Sequence, residues 1–164
     1  MFHRFAGLLV ALLVCHGAAL AQQSSPLAPV PADRTIRGLG ESFPAARNIS
    51  LSADFAVYRF TKDGLDYLQV NRLDGTVLTV LALATKDALV LPIGTLPAAR
   101  VAVVGRSSPA AREATAGATA AGSCPCGSQV VYDGPDATIV VVTDSNGQIV
   151  QVVVINKKNQ NVPQ

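Results

Sequence analysis

The residues of this sequence with the clearest potential for chemistry are two cysteines separated by one proline, Cys124 and Cys126. These cysteines have four possible roles. We prefer a structurally inert disulfide on a loop. The alternatives are a strained, reducible disulfide with redox activity, a disulfide between two chains, or a pair of thiolate ligands for a soft metal. Zinc usually takes four ligands, and no other cysteine or histidine of the mature chain could complete a closed site. We therefore predict no metal site within one chain and no cofactor.

Histidine-based catalysis is not expected, because His3 and His16 both lie in an N-terminal segment that resembles a cleaved signal. Without an imidazole base, neither a Ser-His-Asp nor a Cys-His arrangement can form. Two aspartate pairs, Asp63 with Asp66 and Asp133 with Asp136, remain as acid–base candidates, but each lies in or beside a turn, where aspartate is favoured for backbone hydrogen bonding. We therefore predict no catalytic residues and no enzymatic activity.

Residues 1–21 have the three features of a secretory signal: a positive charge at Arg4, an apolar run over 6–14, and the small-residue pattern Ala19-Leu20-Ala21. Lipidation of Cys15 is disfavoured, because a valine and not a small residue precedes it. Beyond this signal, no apolar run approaches the roughly 20 residues of a membrane-spanning helix. We expect an exported protein, periplasmic or secreted, with no transmembrane segment after cleavage.

The net charge and its distribution do not indicate what kind of partner this protein binds. The formal net charge is +2 and falls to +1 when Arg4 leaves with the signal, and charges of both signs are scattered along the chain. Since neither a basic nor an acidic block is present, binding to nucleic acid is not expected. An unknown protein partner or self-association remains as the expected kind of interaction.

The composition changes near residue 48. Residues 22–47 hold four prolines among small and polar residues and are predicted to be a flexible leader. From Asn48 to Tyr58 every second residue is apolar, which is the period of a half-buried strand. A β domain is therefore predicted over 48–156, with a disordered tail over 157–164.

Turn residues divide the middle of this domain into strands. Asp63-Gly64 and Asp74-Gly75 recur 11 residues apart between strand-forming residues, which favours tight hairpins in an antiparallel meander. Pro92 should lie on an edge strand or at its end. The predicted strands are 65–71, 76–84, 88–93 and 100–104.

Residues 106–127 form an insertion rich in Ala, Gly, Ser and Thr. Ser108 followed by Pro109 could cap a short helix. The preceding strand-like run 101–108 resembles the start of a nucleotide-binding turn but lacks its glycine pattern and a later acidic residue. We prefer a low-complexity surface loop with at most one helical turn. If this loop, from Arg106 to Ser128, protruded, it would suit an inhibitor.

Asn146-Gly147 between two β-branched runs predicts a C-terminal hairpin with a two-residue type I′ turn. Counting outward from the turn predicts cross-strand pairs on two faces, both rich in apolar side chains. One face should enter the core; it holds Ile139, Val141, Val150, Val152 and Val154. The other is a candidate assembly face, which could instead pack inside the domain; it holds Val140, Val142, Val153 and Ile155.

Three weaker signals have simpler interpretations. Asp144-x-Asn146-Gly147 resembles the start of a calcium loop, but the later oxygen donors are missing, so hairpin turn chemistry is preferred. The sequon Asn48-Ile49-Ser50 matters only in a host that glycosylates it. Three tyrosines are interpreted as strand residues and not as a ligand platform: Tyr58, Tyr67 and Tyr132.

Together these features predict an all-β fold: a single antiparallel meander-type domain, a small sandwich or a partly open barrel, with a C-terminal hairpin and the 106–127 insertion. The predicted function is a non-catalytic module acting by binding or assembly. A thiol-active or metal-handling protein centred on Cys124 and Cys126 is one alternative, and a periplasmic inhibitor is another.

Overall fold

The computed structural model describes residues 35–84, 87–116, 118 and 127–158, and these form an all-β domain with one helix, as predicted. Two four-stranded sheets are present, with strand orders β1-β2-β3-β4 and β5-β8-β7-β6, and neither closes into a barrel. The elements are β1 Phe55–Lys62, β2 Leu65–Arg72, β3 Val77–Leu83, β4 Ala88–Leu91, a 3₁₀ turn Ala98–Arg100, β5 Val101–Gly105, α1 Pro109–Ala116, β6 Gly127–Asp133, β7 Ala137–Thr143 and β8 Ile149–Asn156.

The first sheet is an antiparallel meander. Lys62 pairs with Leu65, and both Asp63 (φ 52°) and Gly64 (φ 78°) adopt positive φ, as a two-residue type I′ turn requires. On the far side of the sheet, β4 ends at Leu91, directly before Pro92, and forms an edge. The predicted turn and the predicted edge position are therefore confirmed.

The first strand begins later than predicted, at Phe55 and not at Asn48. The Asn48 side chain accepts hydrogen bonds from the backbone N–H groups of Ser50 (2.9 Å) and Val57 (3.0 Å), which bends the chain away from a regular strand. The N–H of Leu51 then donates to the carbonyl of Val131 on β6 (2.9 Å). Residues 48–54 therefore join the β1 edge of one sheet to the β6 edge of the other.

The fifth strand does not extend the meander, contrary to the prediction. Strand β5 instead pairs in parallel with β8, with Val101 opposite Val152. A parallel pair needs a long crossover connection, and here the chain passes through α1, β6 and β7 before it returns as β8. The second sheet is therefore mixed, and β5 is one of its edges.

The β7–β8 hairpin has the predicted register between Val142 and the end of the hairpin away from the turn. The turn itself differs from the prediction. Its loop has three residues, because the N–H of Asp144 bonds to the carbonyl of Gln148 (2.9 Å) and only Gly147 has positive φ (73°). The Asp144 carboxylate accepts the N–H groups of Asn146 (2.9 Å) and Gln148 (2.8 Å), which stabilises this loop. A bulge then restores the predicted pairing and leaves Val150 half-exposed.

One hydrophobic core lies between the two sheets, which makes the fold a sandwich. Each fully buried Val or Leu contributes about 1.5–3 kcal/mol to folding. Ile149 enters the core at the position predicted for Val150, because the bulge exchanges the faces of these two residues. The main core residues are Phe55, Val57, Leu68, Val70, Leu81, Leu83, Val101, Val131, Ile139, Val141, Ile149, Val152 and Val154.

Helix α1 covers the outer face of the second sheet. The Ser108 hydroxyl accepts the N–H of Ala111 (3.1 Å), and Pro109 occupies the first helical position, so the capped helix forms where we preferred a loop. Ala111 and Ala114 pack on the hairpin. The proposed assembly face is therefore not an exposed surface: Val140, Val153 and Ile155 are buried in this second cluster and Val142 is partly buried.

The outer face of the first sheet is covered by residues 35–47, which the sequence analysis assigned to a flexible leader. The buried Gln69 amide accepts the N–H of Gly40 (2.7 Å) and donates to the carbonyl of Glu41 (2.8 Å). The buried Asn71 amide donates to the carbonyl of Ser42 (2.9 Å). This end of the predicted leader is therefore packed against the sheet through its backbone.

Aspartate substitutions along β8 test this arrangement. Val150 is 50% exposed, whereas Val152 is fully buried between the sheets and Val153 is 2% exposed beneath α1. We expect Val152→Asp and Val153→Asp each to cost several kcal/mol, because each buries an unpaired charge. Val150→Asp should change the free energy of unfolding by less than about 0.5 kcal/mol. Urea unfolding measures all three, and unfolding of the Val150→Asp variant would contradict the bulge.

A buried hydroxyl offers a second test. Thr79 is 1% exposed, and its Oγ1 has no hydrogen-bond partner among the described residues. Thr79→Val should therefore stabilise the protein by about 1 kcal/mol, because an unsatisfied polar group is replaced by a methyl group. Thr138 donates to Asp133 (2.6 Å), so the matched Thr138→Val substitution should destabilise it. Thermal unfolding distinguishes them; equal effects of the two substitutions would refute this account.

Candidate binding cleft

The cysteine motif lies outside the described residues, so the structure neither supports nor excludes any fate of Cys124 and Cys126. The aspartate candidates are described, and they divide into separate arrangements. Asp63 lies in the β1–β2 turn, whereas Asp66 forms an ion pair with Arg59 on β1. The two carboxylates therefore do not act as a pair in this structure.

Arg59 is the centre of an ion-pair network between the two sheets. Besides Asp66, its guanidinium approaches Asp136 in the β6–β7 turn at 3.6 Å. Asp136 in turn pairs with Lys158 at 3.0 Å. Thr61 donates a further hydrogen bond to Asp66 (2.6 Å). This network joins the sheets on the same side as residues 48–54.

Asp133 has its own partners and does not face Asp136 as an acid–base pair would. Its carboxylate is bound by Lys157 and by the hydroxyl of Thr138 (2.6 Å). Lys157 also donates to the carbonyl of Gly134 (2.8 Å). The Tyr132 hydroxyl lies so close to Gly134 that an added Cβ there would be 2.0 Å from it. Asp133 at the end of β6 and Asp136 in the following turn thus hold this turn against the end of β8.

These contacts shift the ionisation of the groups involved. The hydrogen bond from Arg59, aided by Thr61, lowers the pKa of Asp66. Lys157 and Thr138 lower the pKa of Asp133 in the same way. Burial raises the pKa of Tyr132, against the opposing effect of Arg59. A general acid at neutral pH needs a raised carboxyl pKa, so the lowered values of Asp66 and Asp133 suit structural ion pairs.

The remaining weak motifs have structural roles in the described chain. Asp144 accepts backbone N–H groups of its own turn, as preferred over a calcium loop. The sequon asparagine, Asn48, is exposed, and its side-chain oxygen accepts two backbone N–H groups. The tyrosines are strand residues, as predicted: Tyr58 is on β1, Tyr67 on β2 and Tyr132 on β6.

A cleft of about 280 Å³ lies at one end of the sandwich, where residues of both sheets meet. The first sheet contributes the end of β2 and the β2–β3 turn, and the second contributes β6 and the β7–β8 turn. The lining residues are Asp54, Phe55, Arg72, Leu73, Asp74, Gln129, Thr143 and Gly147.

The polar groups of this cleft differ in how they are engaged. Gln129 bridges two residues of the 48–54 segment: it accepts the hydroxyl of Ser52 (2.6 Å) and donates to Asp54 (3.0 Å). Asp74 accepts the N–H of Thr76 (2.8 Å), which lowers the pKa of Asp74. Arg72 is half-buried, and its positive charge acts on the neighbouring Asp74 and also helps to lower the pKa of that carboxyl. Among the described residues, however, no side-chain hydrogen bond engages the guanidinium, so its N–H groups are available to a ligand.

Apolar side chains lie beside these polar groups. Phe55 is a buried part of the lining, and Leu73 is 59% exposed at the rim. Phe43 is also exposed, and its ring lies against Gly75, so close that a Cβ on this glycine would be 2.5 Å from it. Two exposed apolar side chains therefore flank the β2–β3 turn, next to Arg72.

Sequence reasoning did not single out this cleft. It located the turns at Asp74-Gly75 and Asn146-Gly147, but they meet only because the two sheets pack with these turns at the same end. No spacing in the sequence relates Arg72 to Gln129.

A second cavity, of about 210 Å³, lies beside α1. Its lining includes Glu113 and Ala114 of the helix with Val142, Gln151 and Val153 of the hairpin. Among the described residues, the part of the proposed assembly face that remains accessible therefore lies beside α1.

Comparison with known protein families, with curated proteins and with solved structures finds no match to this chain. Within the described ranges, no helix is long and apolar enough to cross a membrane. In the same residues, no cluster of three or more His, Cys, Asp or Glu side chains is arranged to hold a metal ion.

The ion-pair network predicts a sensitivity to acid. The folded-state pKa of Asp66 is depressed, so its stabilising effect is fully present above the unfolded pKa near 3.8 and is lost as the pH falls through the lower folded value. We expect the urea midpoint to fall below about pH 4. Asp66→Asn should destabilise the protein by less than about 1 kcal/mol at pH 7 and flatten this acid limb.

Asp63→Asn is the matched control, because Asp63 lies three residues away and outside the network. It should leave the pH dependence of the urea midpoint unchanged. If Asp66→Asn and Asp63→Asn gave the same profile as the wild type, the network would not be the source of the acid sensitivity.

Proposed function

We propose that this chain is an exported, non-enzymatic β-sandwich module that binds a polypeptide partner at the cleft between the β2–β3 and β7–β8 turns. The observation that carries the proposal is that the half-buried Arg72, whose guanidinium makes no side-chain hydrogen bond among the described residues, lies beside the exposed Leu73 in one cleft. Export rests on the signal-like pattern of residues 1–21.

The polar residues of the described chain favour binding over catalysis. The aspartates that sequence analysis considered for acid–base chemistry are held by Arg59, Lys157 and Lys158 or lie in a turn. Each of these ion pairs would have to break before its aspartate could act as a catalytic group. The cleft, in contrast, can accept a ligand without loss of a structural contact by Arg72.

The lining indicates the chemistry of the ligand. The Arg72 guanidinium can donate several hydrogen bonds to a carboxylate or to backbone carbonyls. Asp54 and Asp74 leave acceptor capacity for backbone N–H groups, and Leu73 offers apolar contact. A short peptide segment combines carbonyls, N–H groups and an apolar side chain, and it fits a cleft of about 280 Å³ with one or two residues.

The experiment is selection of a displayed random heptapeptide library on the folded protein, followed by titration of the enriched synthetic peptides. We expect Arg72→Ala and Leu73→Ser each to weaken these peptides at least tenfold. Leu89→Ser is the matched control, because Leu89 on β4 is 57% exposed, as Leu73 is 59% exposed, but lies outside the cleft. Its peptide affinities should equal those of the wild type.

Two results would overturn the proposal. One is the absence of any enriched peptide. The other is enrichment of peptides whose affinity responds equally to Leu73→Ser and Leu89→Ser, since this would show non-specific adhesion to exposed leucine. Thermal unfolding of each variant verifies that the cleft substitutions leave the fold intact.

A further inference from the structure

The edges of the two sheets are not equally protected. Strand β1 is covered by Asn48, which bridges to Tyr58, and by the N–H of Ile49, which donates to Val57 (2.8 Å). Strand β6 is covered by the bond from Leu51 to Val131 and by a bridge between Ala118 and Ser128. Both edges on this side of the sandwich are therefore partly paired.

The opposite side carries the edges of β4 and β5. Strand β4 has four residues and stops before Pro92, two features that discourage pairing with another strand. Strand β5 has neither: its sequence is Val-Ala-Val-Val-Gly, without proline or charge. In the described part of the chain it pairs with β8 alone, and residues 102–105 are partly exposed. Its two ends are engaged locally, because the N–H of Val101 donates to the carbonyl of Ala98 and the carbonyl of Gly105 accepts the N–H of Ser108 (3.0 Å). The open, apolar part of this edge is therefore its middle, residues 102–104.

Two cations flank this edge. Arg100 precedes β5 and Arg106 follows it, and both are exposed. Arg100 donates only a long bond to the carbonyl of Ile149 (3.4 Å). Arg106 contributes to lowering the pKa of Asp133, but that carboxylate is already bound by Lys157. Positive charge therefore stands at both ends of the open strand.

We propose that the free edge of β5 accepts an extended partner segment whose central residues are β-branched and whose ends are acidic. Such strand addition uses the main-chain groups of an edge for affinity and side chains for specificity. Arg100 ends the 3₁₀ turn before β5 and Arg106 lies in the turn after it, so both stand just beyond the ends of the strand. A partner strand centred on Val103 that extends past both ends of β5 would bring two of its residues, six positions apart, next to these arginines. Aspartate or glutamate at these two positions would be attracted to them.

The same geometry disfavours a second copy of this chain as the partner. If two β5 strands paired antiparallel about Val103, Arg100 of each copy would come near Arg106 of the other at the strand ends, and like charges brought together across a strand pair are destabilising. A partner with acidic ends converts these two repulsions into attractions. The charges at the edge therefore select an acidic segment over self-pairing.

The probe is the acetylated and amidated heptapeptide Glu-Val-Thr-Val-Thr-Val-Glu, compared with the same peptide carrying lysine at both ends. We expect the acidic peptide to bind the full chain at least tenfold more tightly at low salt, as measured by NMR titration. Binding should also slow hydrogen exchange of the backbone N–H groups within Val101–Gly105.

The charge-reversed variant Arg100→Glu/Arg106→Glu should prefer the lysine peptide. The control Arg37→Glu/Arg47→Glu makes the same change of net charge at exposed arginines outside β5 and should keep the acidic preference. If the first double variant does not fold, Arg106→Glu alone should reduce the preference. Arg72→Ala should leave heptapeptide binding unchanged, which distinguishes this site from the cleft.

Three outcomes would overturn the proposal. The first is equal affinity for the two peptides. The second is exchange protection that appears only outside Val101–Gly105. The third is concentration-dependent self-association with protection of β5 in the absence of peptide, because this would make a second copy the occupant of the edge.

Discussion

The fold depends on one constraint: the β7–β8 hairpin is apolar on both faces and cannot be solvated on either. Val141 and Val152 require cover on one side, whereas Val140 and Val153 require it on the other. The first sheet covers the former pair and helix α1 covers the latter. The helix has only eight residues and would be marginal on its own, so it is stabilised by this packing.

Covering both sheets on their outer faces uses two different kinds of interaction. On the second sheet, alanines of α1 make apolar contacts with valines. On the first, Gln69 and Asn71 are fully buried and bind only to each other and to the backbone of residues 40–42 among the described contacts. An unsatisfied buried amide costs about 1–3 kcal/mol. This polar pair therefore specifies the position of residues 40–42 on the sheet more closely than apolar contact would.

The perimeter of the sandwich is asymmetric, and both proposed binding sites follow from this asymmetry. Residues 48–54 and the Arg59 network close the β1–β6 side. On the β4–β5 side, residues 92–100 connect the sheets, and the N–H groups of Thr95 and Leu96 donate to the carbonyls of Val77 (2.9 Å) and Leu78 (3.0 Å). Strand β5 itself pairs only with β8 in the described chain, and the cleft lies at the turn end of the sandwich. The β1 and β6 edges are thus partly paired, whereas the middle of the β5 edge and the N–H groups of the Arg72 guanidinium are not engaged by the described residues.

The sequence by itself determined the fold class and several local elements. The Asp63-Gly64 turn, the edge position next to Pro92 and the hairpin register from Val142 follow from backbone preferences and alternation, which act over a few residues. Tertiary structure decided the rest. The parallel β5–β8 pair, the choice of helix after Ser108, the exchange of Ile149 for Val150 in the core and the meeting of Arg72 with Gln129 all depend on contacts between distant segments, whose energies no local pattern encodes.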